Sequence, residues 1–185
     1  MDTIHYFNKI VKELEHSAPL ISSDEAETLF RHIVGAKKVF VAGAGRSGFI
    51  AKSFAMRMMH MGIDAYVVGE TVTATFETDD LLLLCTGSGE TKTLTAIGEK
   101  AKTVGGTIAV VTLSPFSTIG KMADTTVTLP GAPKDQDGSH HETIQPMGSL
   151  FEQIMLLFFD ALILRFMHHK ELDTNKMYGK HANLE

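Results

Sequence analysis

The sequence predicts an α/β chain, a three-layer α-β-α sandwich around a five-stranded parallel sheet. Three observations carry that prediction. Five short strand-forming runs, residues 38–42, 65–68, 81–85, 107–112 and 125–129, are separated mostly by stretches with helical periodicity. The third, Leu81-Leu82-Leu83-Leu84-Cys85, is apolar without alternation, as a strand covered on both faces must be. Two of the runs end in glycine-rich turns that lead into helix-forming sequence: Gly43-Ala44-Gly45-Arg46-Ser47-Gly48 and Thr86-Gly87-Ser88-Gly89-Glu90-Thr91. Strand–turn–helix units of this kind build parallel sheets with right-handed crossovers.

The elements follow in order. Ile4, Phe7, Val11 and Leu14 recur at helical spacing and make an amphipathic first helix, which residues 17–19 break. Ser22 and Glu25 read as a capping box for a second helix ending near Gly35. The strand at 38–42 leads through the first glycine turn to a helix over 49–61. Its methionines, Met56, Met58, Met59 and Met61, suit a core or an interface rather than a cofactor. The second glycine turn opens a helix over 93–102. Residues 130–139 are rich in Pro, Gly and Asp and read as a surface loop. The last helix, 147–167, is apolar almost all round. One sheet cannot cover such a helix, and association with further subunits would do so. No repeat or linker divides the chain. Its 185 residues form one domain, 1–185, long enough to bury about two-thirds of the unfolded surface.

Composition narrows the function. Hydrophobic residues make up 44% of the chain, which argues against disorder. A formal net charge of -5 makes nucleic acid and anionic membranes poor partners. The single cysteine, Cys85, excludes an intrachain disulfide and fits a reducing cytoplasm. Asp2, Lys9, Lys12 and Glu13 interrupt the N-terminal segment, so it lacks the apolar core of a signal peptide. Glu152, Asp160 and Arg165 interrupt the most apolar region, so it reads as a buried helix rather than a membrane span.

The second glycine turn is the strongest chemical signal. It brings the hydroxyls of Thr86, Ser88 and Thr91, and several backbone N–H groups, to the start of a helix. That is a site for an anion, above all a phosphate. Gly87 and Gly89 let the backbone approach it. Glu90 is unfavourable beside a phosphate unless it turns to sugar hydroxyls or caps the helix. Ligands of open parallel sheets gather beyond the carboxyl ends of the strands, so both turns can face one crevice and add Gly45 and Ser47 to it. Gly43, Gly45 and Gly48 also fit the spacing of a dinucleotide fingerprint, with Glu70 as its acidic residue. The richer second turn favours a phosphate. His140-His141-Glu142 has no third ligand at metal-binding spacing, so no metal is expected.

Together, GAGRSG, TGSGET, the segment Gln145-Pro146-Met147-Gly148-Ser149-Leu150-Phe151-Glu152 and the terminal His181-Ala182-Asn183-Leu184-Glu185 resemble the sugar isomerase (SIS) domain family. Within it, the chain looks most similar to the 6-phospho-3-hexuloisomerases. The resemblance covers essentially the whole chain and implies a flavodoxin-like SIS fold. It implies a cofactor-free, cytoplasmic homotetramer with sites near subunit boundaries. The reaction it implies interconverts hex-3-ulose 6-phosphate and fructose 6-phosphate, in formaldehyde fixation by the ribulose monophosphate route. Another phosphosugar, such as arabinose 5-phosphate, and a non-catalytic sugar-phosphate sensor stay open as alternatives.

Moving a carbonyl along a sugar requires a base beside it and a donor for the enediolate oxygens. Glu152 opens an otherwise apolar helix, where an unpartnered carboxylate is costly. By resemblance it is the proton acceptor, and Glu142 is a second acid/base candidate. Arg46 stands where related isomerases carry a basic residue for the enediolate or phosphate. The resemblance also brings His181 to a neighbouring subunit's crevice, to polarise the carbonyl or shuttle a proton.

Overall fold

In the computed structural model the expected five strands form one parallel sheet, and the structure describes residues 1–133, 143–174, 177, 179 and 181. The strands are β1 (Val39–Gly43), β2 (Ala65–Val67), β3 (Leu81–Cys85), β4 (Thr107–Thr112) and β5 (Thr125–Thr128). The helices are α1 (Thr3–Ser17), α2 (Ser23–Gly35), α3 (Gly45–His60), α4 (Lys92–Val104), α5 (Thr118–Met122) and α6 (Ser149–His169). The sheet order is β2-β1-β3-β4-β5, with every neighbouring pair parallel.

Alternate strand residues point to opposite faces, and two cores result. Val39, Val41, Leu81, Leu83, Ala109 and Val127 pack against α2, α3 and α6. Phe40, Leu82, Leu84, Ile108 and Val110 pack against α4 and α5. The apolar run of β3 is therefore buried on both sides, as its lack of alternation requires. Ser22 caps α2 by accepting from the Glu25 N–H at 3.3 Å. The capping box is only half formed, because the Glu25 carboxylate accepts from the Thr128 N–H of β5 at 2.7 Å.

Two expectations need correction. The helix placed at 49–61 starts at Gly45, so the first glycine turn is the first turn of α3. The last helix runs two residues later than 147–167. As expected of a helix that one sheet cannot cover, it keeps apolar residues outside the protomer's core, with Leu157 and Leu164 52% and 66% exposed. The short α5 and the 3-10 turn at Ala18–Leu20 had no clear sequence signal.

No helix bridges β2 and β3. The Lys38 ammonium instead ties the connecting segment down, donating to the Thr75 carbonyl at 2.7 Å and to Glu77 at 2.8 Å. Among the described residues no helix is long and apolar enough to cross a membrane.

Candidate functional site

The sheet order reverses direction between β1 and β3, and ligands of open α/β sheets bind at such a switch point. The register pairs Gly43 with Cys85, so the two glycine turns leave the sheet side by side. A cavity of about 340 Å³ opens there. Ala44, Gly45 and Ser47 line it from the first turn, and Thr86, Gly87, Ser88 and Thr91 from the second. Leu113 and Ser114 follow β4 into it, Ala132 and Pro133 close one side, and α6 adds Gly148, Phe151 and Glu152.

Each turn has a physical reason for its glycines. A Cβ on Gly48 would stand 2.6 Å from the Gly43 carbonyl oxygen, and one on Gly43 would stand 2.9 Å from the Gly48 Cα. β1 and α3 therefore approach backbone to backbone. Gly89 has φ +67°, and a Cβ there would overlap the Ser117 hydroxyl. The second turn is held from within and from outside. Thr86 Oγ1 accepts from the Gly89 N–H at 3.2 Å, and Ser88 Oγ accepts from the Glu90 N–H at 3.3 Å. The Gly87 carbonyl accepts from the Leu113 N–H at 3.1 Å. Thr91, which lines the cavity, is the N-cap of α4 yet makes no side-chain capping bond, so its hydroxyl satisfies none of the first N–H groups of α4.

Glu90 resolves differently from either expected role. Its carboxylate accepts from the Thr118 N–H at 2.8 Å and the Thr118 hydroxyl at 2.7 Å. It braces the start of α5 rather than that of α4. The Thr118 backbone and side-chain bonds hold its carboxyl below the usual range.

Glu152 is 7% exposed, in the first turn of α6. Arg46 Nη1 stands 3.1 Å from its Oε2 and donates to Ser149 Oγ at 2.9 Å. A buried carboxylate requires such a partner, and two helix N-termini beside it add favourable dipole ends. Arg46 itself sits at the rim, with a side chain 59% exposed.

The remaining candidates lie elsewhere. His181 stacks on His60, their ring centroids 5.2 Å apart. His60 ends α3, and Arg46 begins it. About 1.5 Å of rise per residue puts the two ends of that helix roughly 20 Å apart. His181 is thus remote from the crevice of its own protomer. Glu142 lies outside the described residues. Glu70 pairs with Lys52.

Sequence reasoning missed Ser114, Ser149 and the apolar wall of Leu113, Ala132, Pro133 and Phe151. Ser114 had a signal, since it follows a strand whose end faces the same crevice. Ser149 had none beyond its place in a quoted motif.

Residues 32–163 match the SIS domain. The chain belongs to the SIS domain family. It is 51% identical to the 3-hexulose-6-phosphate isomerase of Bacillus subtilis over 185 residues, all of both chains. It is 37% identical to that of Mycobacterium gastri, over 100% of this chain and 92% of the relative. Among solved structures it is similar to a Methanococcus jannaschii protein for which a 3-hexulose-6-phosphate isomerase function was inferred. That similarity has a TM-score of 0.85 and 31% identity, and covers 98% of this chain and 99% of the other. The two curated relatives match over the whole of this chain, α1 and the tail included.

Proposed function

We propose that this SIS protein is a 3-hexulose-6-phosphate isomerase, interconverting D-arabino-hex-3-ulose 6-phosphate and D-fructose 6-phosphate through an enediolate. The observation that carries the reading is Glu152: a buried carboxylate, paired with Arg46, facing the same 340 Å³ cavity as the Thr86–Thr91 turn. The curated relatives support the choice of substrate.

The phosphate binds the Thr86, Ser88 and Thr91 hydroxyls and the amides at the start of α4, with Gly87 and Gly89 giving the backbone access. Gly45 and Ser47 face it from the first turn. With its 6-hydroxyl phosphorylated, the hex-3-ulose cannot close a five- or six-membered ring on the 3-carbonyl, so it enters open-chain. Glu152 removes the proton from carbon 2 and the electron pair forms the carbon 2–carbon 3 double bond. Negative charge develops on oxygen 3, and Arg46 is the cation at the rim that offsets it. The proton returns to carbon 3 while the hydroxyl proton of oxygen 2 passes to oxygen 3. The carbonyl then stands at carbon 2, with no net change in atoms or electrons.

The reading extends to a cytoplasmic homotetramer that needs no cofactor and works in formaldehyde fixation by the ribulose monophosphate route. The exposed stripes of α1 and α6 support assembly. His181 is then a proton shuttle for a neighbouring subunit's crevice, since its own lies at the far end of α3.

A coupled assay with hex-3-ulose 6-phosphate tests the activity, and Glu152→Gln tests the base. Turnover of the variant should fall by at least about 10²-fold, and exchange of substrate protons with heavy water should cease with it. Near-normal exchange in Glu152→Gln would overturn the assignment and move the base to Glu142.

A further inference from the structure

Glu13 lies on α1, outside the stretch that matches the SIS domain, yet it reaches the chain that leads into the catalytic helix. Its carboxylate accepts three hydrogen bonds from consecutive residues: Thr143 Oγ1 at 2.7 Å, the Ile144 N–H at 2.8 Å and Gln145 Nε2 at 2.9 Å. Burial pushes the Glu13 carboxyl up, but the bonds from Gln145, Ile144 and Thr143 outweigh it and hold the group below the usual range. Gln145 is itself buried.

Between that clamp and α6 the chain turns sharply. The Ser149 N–H donates to the Pro146 carbonyl at 3.2 Å, and Met147 adopts φ 56°. A non-glycine residue keeps such a backbone only where its surroundings over-determine it. Here the surroundings are α6 on one side and Glu13 on the other. The next residues are Gly148, which lines the cavity, Ser149, which binds Arg46, and Glu152.

We propose that Glu13 is a positioning residue for the reaction: by clamping residues 143–145 it holds Met147 in the left-handed turn and so sets where α6 begins and where Glu152 and Ser149 stand. The inference rests on the isomerase reading above. It gives α1 a role in catalysis besides its exposed apolar stripe. The phosphate turn lies on other elements, so the clamp affects turnover and not substrate capture.

Steady-state kinetics with hex-3-ulose 6-phosphate, well below the melting temperature, test it. Glu13→Ala should lower kcat by about 10- to 100-fold, the scale of a small misplacement of a catalytic group, with KM changed less than about two-fold. Thr143→Val removes one of the three bonds to Glu13, together with the 3.0 Å bond that Thr143 Oγ1 accepts from the Gln145 N–H, and should lower kcat in the same direction. The double variant should be no worse than Glu13→Ala alone, because both act through one segment. Met147→Gly, which makes the turn without strain, should restore much of the kcat lost in Glu13→Ala. A merely structural role would lower the melting temperature and leave that rescue absent. Normal kcat in Glu13→Ala, or no rescue by Met147→Gly, overturns the inference. Normal kcat in Glu152→Gln overturns the isomerase base instead, and the two failures are read separately.

Discussion

Arg46 and Ser149, 103 residues apart in the chain, are joined by a 2.9 Å hydrogen bond, and the same guanidinium nitrogen stands 3.1 Å from Glu152. One side chain therefore links the first turn of α3 to the first turn of α6. Both helices present their N-terminal ends to the crevice, where an anion is favoured. An acidic protein with a formal charge of -5 can hold a sugar phosphate in this way, by local geometry against its overall field.

Thr91 makes no side-chain capping bond, so removing its hydroxyl should leave the fold intact. Thr91→Val is expected to weaken fructose 6-phosphate binding by about 1.5–3 kcal/mol, the worth of a hydrogen bond to a charged group. Titration calorimetry measures the loss. Unchanged affinity would place the phosphate elsewhere.

Gly48→Ala tests the contact between β1 and α3. The new Cβ would meet a backbone oxygen at 2.6 Å, which cannot swing aside. Overpacking of this kind costs about 1–3 kcal/mol or more, so the melting temperature should fall by several degrees. Gly35→Ala, at the end of α2 with nothing within 4 Å, is the control and should not destabilise. Equal melting temperatures for the two variants would refute the close-packing argument.

His60 gives a pH dependence. Burial, then the nearby His181 and Arg57, depress its pKa below 6.5. The folded state therefore binds fewer protons than the unfolded state as pH falls below about 6.5. Stability rises with pH in that window and is lost on acidification. The melting temperature should drop from pH 7.5 to 5.5, and His60→Gln should flatten the slope. A slope unaltered by the substitution would show that His60 is not its source.

Ile4, Phe7 and Val11 on α1 are exposed at helical spacing, as are Leu157 and Leu164 on α6. Under the proposed assembly these stripes are the surfaces that neighbouring subunits cover. Phe7→Glu combined with Leu164→Glu should reduce the mass seen by light scattering at micromolar concentration. If His181 serves a neighbouring subunit, turnover should fall with the mass. A protein already monomeric and fully active before substitution would refute both.

Much of the site was legible before folding was considered. A buried parallel strand needs an unbroken apolar run, and β3 has one. A phosphate turn needs hydroxyls, glycines and a following helix, and residues 86–92 supply them in order. Glu152 stood out because a carboxylate in an apolar helix demands a reason. The start of α3 was misplaced because glycines at 43, 45 and 48 read as a turn by propensity. The backbone contact of Gly48 with Gly43 at the end of β1 lets the helix begin inside them.

By itself the sequence determined the layer architecture, the strand positions and the glycine turns that line the crevice, because these follow from short-range periodicity and local backbone chemistry. Only the tertiary structure decided the partners. Glu90 turned to Thr118, Glu25 to Thr128, Glu13 to residues 143–145, Arg46 to Ser149 and Glu152, and His181 to His60. These groups are 28 to 132 residues apart where their hydrogen bonds are measured. No local pattern encodes such pairings. They arise because polar groups that burial strips of water must find partners wherever packing puts them.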